Sequence, residues 1–229
     1  MIKFLPILLT LAWVVGMVWF SAWRSRAMLD RGSTPLRDPR LQALTERLAE
    51  AQGVPEVKVH VFDMPQVNGL AAPDGRIFLT RGFIEKYRMG FVTADEMAGV
   101  IAHELGHVAL GHTRRRMIDV TGQNAVFLAL TALFSRFIPV IGIWIAQALT
   151  TALAAGLSRR AEHEADAYAS ALMVKAGIGT GPQKSLFRKL ERLTGAAGEG
   201  IPDWMRSHPR TEERIARIEE REARWGLAR

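Results

Sequence analysis

At 229 residues the chain is long enough for one good-sized domain, or for one domain and a membrane anchor. Its 30 lysines and arginines against 23 acidic residues give a formal charge of +7 and a pI near 10.3. Aromatic residues do not interleave with the basic ones, which argues against a nucleic-acid partner and for anionic lipid headgroups. There is no cysteine, so a disulfide framework, a thiolate metal site and a thiol nucleophile are all excluded.

The stretch from Phe4 to Trp23 carries no charge. A run of ~20 residues at about 1.5 Å rise spans the ~30 Å core of a bilayer, so residues 1–30 read as an N-terminal membrane anchor. A cleaved signal peptide is the rival reading. Against it, the run exceeds the usual ~7–15 apolar residues, and the only small-x-small site, Ser25-Arg26-Ala27, stands beside Arg24. Arg24, Arg26 and Arg31 follow the span whereas Lys3 and the amino terminus precede it; this leans the rest of the chain, residues 31–229, towards the cytoplasmic side.

Arg31 to Asp38 reads as a linker, after which Asp38 caps a helix with Pro39 at its first position and Leu41, Leu44 and Leu48 as its buried stripe. Gly53 and Pro55 end that helix. Val57, Val59 and Val61 then alternate with Lys58 and His60 as in a half-buried strand, with His60 on the solvent side. Gln66 to Ala72 and Arg76 to Thr80 flank the turn signal Pro73-Asp74-Gly75 and predict a hairpin, whose exposed edge could accept an extended peptide.

Thr93 and Glu96 form a capping box that opens the next helix. Within it lies His103-Glu104-Leu105-Gly106-His107, an HExxH pattern. Two histidines four residues apart differ by only about 40° around a helix, so both rings can face one point and hold a divalent metal. Glu104 lies between them in angle, where a general base for a bound water belongs. The apolar stripe Met97, Ile101, Leu105 and Val108 points roughly 135° away from the histidines, which places them off the core face. His112 follows His107 by five residues, about 140° round an unbroken helix, so it is ruled out as the third ligand. The extended HExxHxxGxxH arrangement is absent too, since Leu110 and Thr113 occupy its Gly and last His positions. The third ligand has to come from elsewhere.

Arg114, Arg115 and Arg116 read as a solvated helix end or a contact with lipid headgroups. Residues 122–157 are strongly apolar, with Arg136 as their one charge, and predict two helices that meet around Ser135 to Pro139. Two full spans with a loop would need more than ~40 residues. The segment therefore reads as a helical hairpin packed on the domain and dipping into the membrane interface, with a tight transmembrane hairpin as the alternative. In the helical run Ser158-Arg159-Arg160-Ala161-Glu162-His163-Glu164-Ala165-Asp166, small residues permit close packing, and Glu162 and Asp166 share a face. A zinc site needs a carboxylate of this kind on the metal and another on the distal nitrogen of a ligand histidine. The alternative is a solvated face with Arg159, Arg160 and Glu164 as a charge ladder. Glycines at 177, 179 and 181 break this helix, Gln183 to Leu193 form another, Thr194 to Pro202 are a Gly-rich loop suited to a mobile cover, and Arg210 to Arg224 form a last helix with Ile215 and Ile218 as its apolar contacts.

Four ordered motifs together resemble the M48 family of membrane-associated zinc metallopeptidases, which includes the HtpX and Ste24 types: the hairpin from Asn68 to Gly82, the HExxH helix, the run at 158–166 and Ser207-His208-Pro209. The similarity extends from about Leu36 to Glu220 and is closer to members with a soluble catalytic domain. It implies an α+β, mostly helical zincin-like domain with a small antiparallel sheet. It also implies one Zn2+ per chain on His103, His107 and Glu162, with Glu104 as catalytic base and Asp166 as partner to a ligand histidine. His208 would stabilise the oxyanion or latch the open metal position, and the hairpin edge at Asn68, Ala71, Arg76 and Ile77 would align a polypeptide substrate. Two departures stand out: the family more often has alanine where Gly69 stands, and the segment between His107 and Glu162 is shorter than in four-span members. The implied activity is hydrolysis of misfolded or membrane-proximal proteins in quality control. A membrane adaptor or chaperone with a structural zinc, closed by His208, is the second reading.

Overall fold

The structure, a computed structural model, describes residues 26–138, 141–195 and 211–227 continuously, with isolated positions between Trp13 and Arg24. Most of the expected Phe4–Trp23 span lies outside the described residues, as do Pro139, His208 and its neighbours Ser207 and Pro209. Among the described residues no helix is long and apolar enough to cross a membrane.

Helix α1 spans Pro39–Gln52, and its ends follow from its sequence. Asp38 accepts hydrogen bonds from the N–H groups of Arg40 and Leu41, each at 3.0 Å, satisfying two of the orphan donors of a helix start. Gly53 closes the helix at φ 79°, a conformation that a β-carbon disfavours. Leu41 and Leu48 are fully buried.

Strands β1 Ser33–Pro35, β2 Val59–Phe62, β3 Gly69–Ala71 and β4 Ile77–Thr80 form one sheet in the order β1-β2-β4-β3. The hairpin turns where the sequence predicts it, with Gly75 at φ 90°. The sheet is mixed rather than antiparallel, because β4 returns between β3 and β2 and lies parallel to β2, leaving β3 as the outer strand. Ile77 and Leu79 face the main core, whereas Phe78 packs with Leu29 and Ala72 on the opposite face. That second face also holds His60, whose ring centroid lies 5.4 Å from that of Phe78. His60 is half-buried rather than solvent-facing, since the helical residues 26–31 carry Leu29 over this side of the sheet. Burial and the nearby Arg76 charge lower its pKa.

The chain turns straight from β4 into α2, Arg81–Arg88. Gly82 permits this, because a β-carbon there would collide with the Pro65 carbonyl. Helix α3, Ala94–Ala109, opens on the expected capping box: the Thr93 hydroxyl accepts from Glu96 N–H at 3.2 Å and the Glu96 carboxylate accepts from Thr93 N–H at 2.8 Å. Met97, Ile101 and Leu105 are buried in the main core beside Leu41, Leu48, Ala169 and Met173.

Helices α4, His112–Phe137, and α5, Gly142–Lys175, pack along one another as an apolar arm. A β-carbon on Gly142 would lie 2.7 Å from the Phe134 carbonyl carbon and 2.8 Å from Ser135 N, so the two helices approach as closely as glycine allows. Away from that seam Leu128, Leu133, Phe137, Ile141, Trp144 and Leu149 are exposed. Helix α5 then continues without a break into the 158–166 run and crosses α3. At the crossing a β-carbon on Gly106 would meet Ala165 Cα and O at 3.0 Å. Helices α6, Gly181–Gly195, and α7, Thr211–Arg224, close the other side.

Candidate metal centre

The Gly106–Ala165 crossing brings Glu162 of α5 over the two histidines of α3. His103 Nε2 and His107 Nε2 are 3.1 Å apart, His103 Nε2 lies 3.2 Å from Glu162 Oε2, and His107 Nε2 lies 3.5 Å from Glu162 Oε1. Ligand atoms about 2.1 Å from a tetrahedral zinc stand about 3.4 Å from one another. The three side chains therefore fit such an ion without rearrangement, and His103 and Glu162 are buried while His107 is half-buried.

The tautomers agree with this fit. Asp166 Oδ1 lies 2.9 Å from His103 Nδ1. The same carboxylate accepts from Arg214 Nε at 2.7 Å and Nη2 at 2.6 Å. Burial opposes charge on Asp166, but the Arg214 guanidinium and His103 outweigh it and hold its pKa well below the usual carboxylate range. An ionised Asp166 requires a proton on His103 Nδ1, so the neutral ring carries its lone pair on Nε2, facing the centre. Burial likewise opposes charge on His103, yet the Asp166 and Glu162 carboxylates push its pKa up to about 10. The surroundings of His103 Nε2 thus favour positive charge. Ser170 and Gln183 brace the same turn: Ser170 Oγ donates to the Asp166 carbonyl at 2.8 Å and lies 2.8 Å from Gln183 Oε1.

Glu104, between the two histidines, is 9% exposed. The outer strand β3 passes close to it, since a β-carbon on Gly69 would lie 3.4 Å from Glu104 Oε1 and 2.9 Å from Val100 Cγ1. Between β3, α3, α6 and α7 lies a cavity of about 60 Å³, walled by Val67, Phe83, Val100, Leu186 and Phe187, with His103 and Glu104 also in its lining.

Of the residues expected to align substrate, Asn68 lines this cavity and Ala71 lies half-buried on the outer strand. The other two are placed differently. Ile77 is fully buried in the interior strand β4, so its side chain offers no surface to a peptide. Arg76 is held by Asp74 at 2.9 Å and Asp30 at 2.6 Å, over the Phe78 ring on the far face of the sheet.

The sequence reading missed three groups. Arg214 looked like one charge among many in the last helix, yet it is 3% exposed, with its guanidinium carbon 3.9 Å from the Phe187 ring centroid. His112, set aside as a ligand by helix arithmetic, stands outside the cluster of His103, His107 and Glu162 but returns to the centre another way: Gly111, at φ 70°, ends α3 and starts a new helix, which sets His112 Nδ1 3.1 Å from His107 Nδ1. Glu164, read as part of an exposed ladder, does pair with Arg160 at 2.8 Å, and its other oxygen lies 3.1 Å from His112 Nε2. Gly111 was the available signal, a helix stop directly before the second helix's first residue.

A largely buried His-His-Glu cluster on two crossing helices, with a glutamate beside it and an outer strand alongside, has the build of a metallopeptidase centre. The model of peptidase family M48 matches residues 35–222, and the chain belongs to that family. It is 28% identical over 188 residues to metalloprotease LoiP of Escherichia coli, covering 82% of this chain and 71% of that protein. To the protease HtpX homolog of Gemmatimonas aurantiaca it is 28% identical over 250 residues, covering 93% of this chain and 88% of that one. The crystal structure of S. mikatae Ste24p superposes with a TM-score of 0.53 at 23% identity, over 81% of this chain and 50% of that one, which supports the fold.

Proposed function

We propose that the chain is a zinc-dependent endopeptidase that hydrolyses polypeptides at or near a membrane. The observation that carries the reading is the convergence of His103, His107 and Glu162 at tetrahedral spacing with Glu104 beside them. Zinc bound there would supply a Lewis acid that polarises the scissile carbonyl and acidifies water. Glu104 takes the proton of the attacking water and passes it to the leaving amine. Asp166, held by Arg214, keeps His103 in its ligating tautomer. The substrate backbone adds alongside β3, next to Glu104, and the apolar cavity receives an apolar side chain flanking the scissile bond. His208, by the family resemblance, stabilises the developing oxyanion.

Membrane association rests on the uncharged Phe4–Trp23 stretch and on the exposed apolar residues of the α4–α5 arm. The arginines that follow the stretch lean the catalytic part towards the cytoplasmic face. Membrane-proximal or misfolded proteins are the substrates this placement suggests.

Glu104→Gln is the test. It should retain stoichiometric zinc and lose cleavage of casein by at least ~10²-fold, because general base catalysis contributes roughly that much. A variant that still cleaves at the wild-type rate would remove Glu104 from the mechanism. A wild-type protein that binds zinc and cleaves nothing would favour the adaptor reading instead. His208→Ala, assayed in the same way, should lower turnover and leave zinc affinity nearly unchanged.

A further inference from the structure

We propose that His112 and Glu164 are positioning residues for the ligand His107, fixing its tautomer and ring plane. The proposal rests on the metal-centre reading above and adds two residues to it. His107 Nδ1 lies 3.1 Å from His112 Nδ1, and His112 Nε2 lies 3.1 Å from Glu164 Oε2. The direction of both hydrogen bonds follows from the far end. Glu164 is a carboxylate that already accepts from Arg160 Nε at 2.8 Å, so it has no proton to give and His112 donates through Nε2. A neutral His112 then carries its lone pair on Nδ1, where it accepts from His107 Nδ1–H. That leaves the His107 lone pair on Nε2, the atom that faces His103 and Glu162. The opposite neutral tautomer of His112 would set a lone pair against the carboxylate and put the His107 proton on Nε2, where no metal could bind.

Packing supports the assignment. His112 is 8% exposed, and its ring meets that of His107 at 5.2 Å between centroids and 66° between planes. Gly111 makes the contact attainable, since only a break in the helix lets a residue five positions on return to the His107 ring. His103 receives its carboxylate directly from Asp166, whereas His107 receives one through an intervening imidazole.

The test compares wild type with His112→Phe, His112→Asn and Glu164→Ala by zinc competition against a chromophoric chelator and by the visible spectrum of the Co2+-loaded protein. An asparagine amide oxygen can accept from His107 Nδ1–H, whereas phenylalanine keeps a ring and offers no acceptor. Loss of an outer partner typically weakens metal affinity by about 10–100-fold, the effect expected for His112→Phe. Glu164→Ala should show a smaller weakening, and His112→Asn should restore most of the affinity and the wild-type Co2+ spectrum. Equal affinities and spectra in all four proteins overturn the proposal, as does an asparagine variant as weak as the phenylalanine one. Glu164, with its side chain 39% exposed, can be truncated without opening the core, so Glu164→Ala decides the matter should His112→Phe not fold. A wild-type protein that takes up no zinc would overturn the metal-centre reading and this proposal together, while unchanged variants overturn this proposal alone.

Discussion

The two ends of α5 live in different surroundings although one continuous helix joins them. From Glu162 onward Ala165, Asp166, Ala169, Ser170 and Met173 are buried, whereas at the other end Ile143, Trp144, Leu149, Leu153 and Leu157 are exposed. The more apolar end is the one left outside. Hydrophobicity therefore does not sort this helix; its neighbours do. The inner end meets α1, α3 and α7 and buries charges that pair with one another, while the outer end has α4 alongside it. Polar groups buried at such a crossing point to a functional centre, and apolar groups exposed in such number point to an interaction surface.

The largest effect should come from the buried charges. Asp166→Asn leaves the Arg214 guanidinium without its carboxylate at a site 3% exposed, and stranding one partner of a buried pair typically destabilises by about 3–5 kcal/mol. Urea denaturation of the metal-free protein measures it, and a loss below ~1 kcal/mol would mean that Arg214 finds another partner. Next comes the glycine pair that contrasts the two ends. Gly106→Ala sets a β-carbon against Ala165 and should destabilise by about 1–3 kcal/mol. Gly156→Ala, on the arm with nothing within 4 Å of the added carbon, should stabilise by roughly 0.5–1 kcal/mol. Thermal denaturation of both variants would erase the contrast if the signs agreed.

A pH series gives a smaller effect. Burial raises the pKa of Glu96, but Lys189, Ser185 and the Thr93 N–H outweigh it and hold it below the ordinary glutamate value. A depressed folded-state pKa means that the contribution is complete above the unfolded value, about 4.3, and fades as pH falls through it towards the folded one. Wild type should thus lose stability below that pH more steeply than Glu96→Gln, by chemical denaturation at fixed salt. Equal slopes would place the acid sensitivity elsewhere. Smallest of all, Trp144→Ser on the arm, at a residue 72% exposed, should change stability by no more than about 0.5 kcal/mol while weakening binding to anionic vesicles. A substantial loss of stability there would show that the arm folds back onto the domain.

The same division explains what could be read from the residues. Local signals carried the capped helices, the Pro73-Asp74-Gly75 hairpin and the HExxH turn, because each depends on neighbours within a few positions. Glu162 and Asp166 were legible as two carboxylates on one face, and the family resemblance supplied their partner helix. Three features escaped for physical reasons. His112 depends on a break at Gly111, and angular arithmetic along an unbroken helix cannot see a break. Arg214 is one arginine in a mixed-charge helix until tertiary packing seats it on Asp166. His60 alternates as a wet residue should, but residues 26–31 cover that face of the sheet.

The continuity of α5 has a mechanical consequence. Its 34 residues make a rod of about 50 Å, with Trp144 near one end and Glu162 some 27 Å further along the axis. The helix is unbroken between them, and the glycine in that stretch is helical. A tilt imposed on the tip is therefore delivered to Glu162, the proposed third ligand, as a displacement against the two histidines on α3. On the function proposed above, whatever seats the arm and the geometry that would hold the ion share one lever.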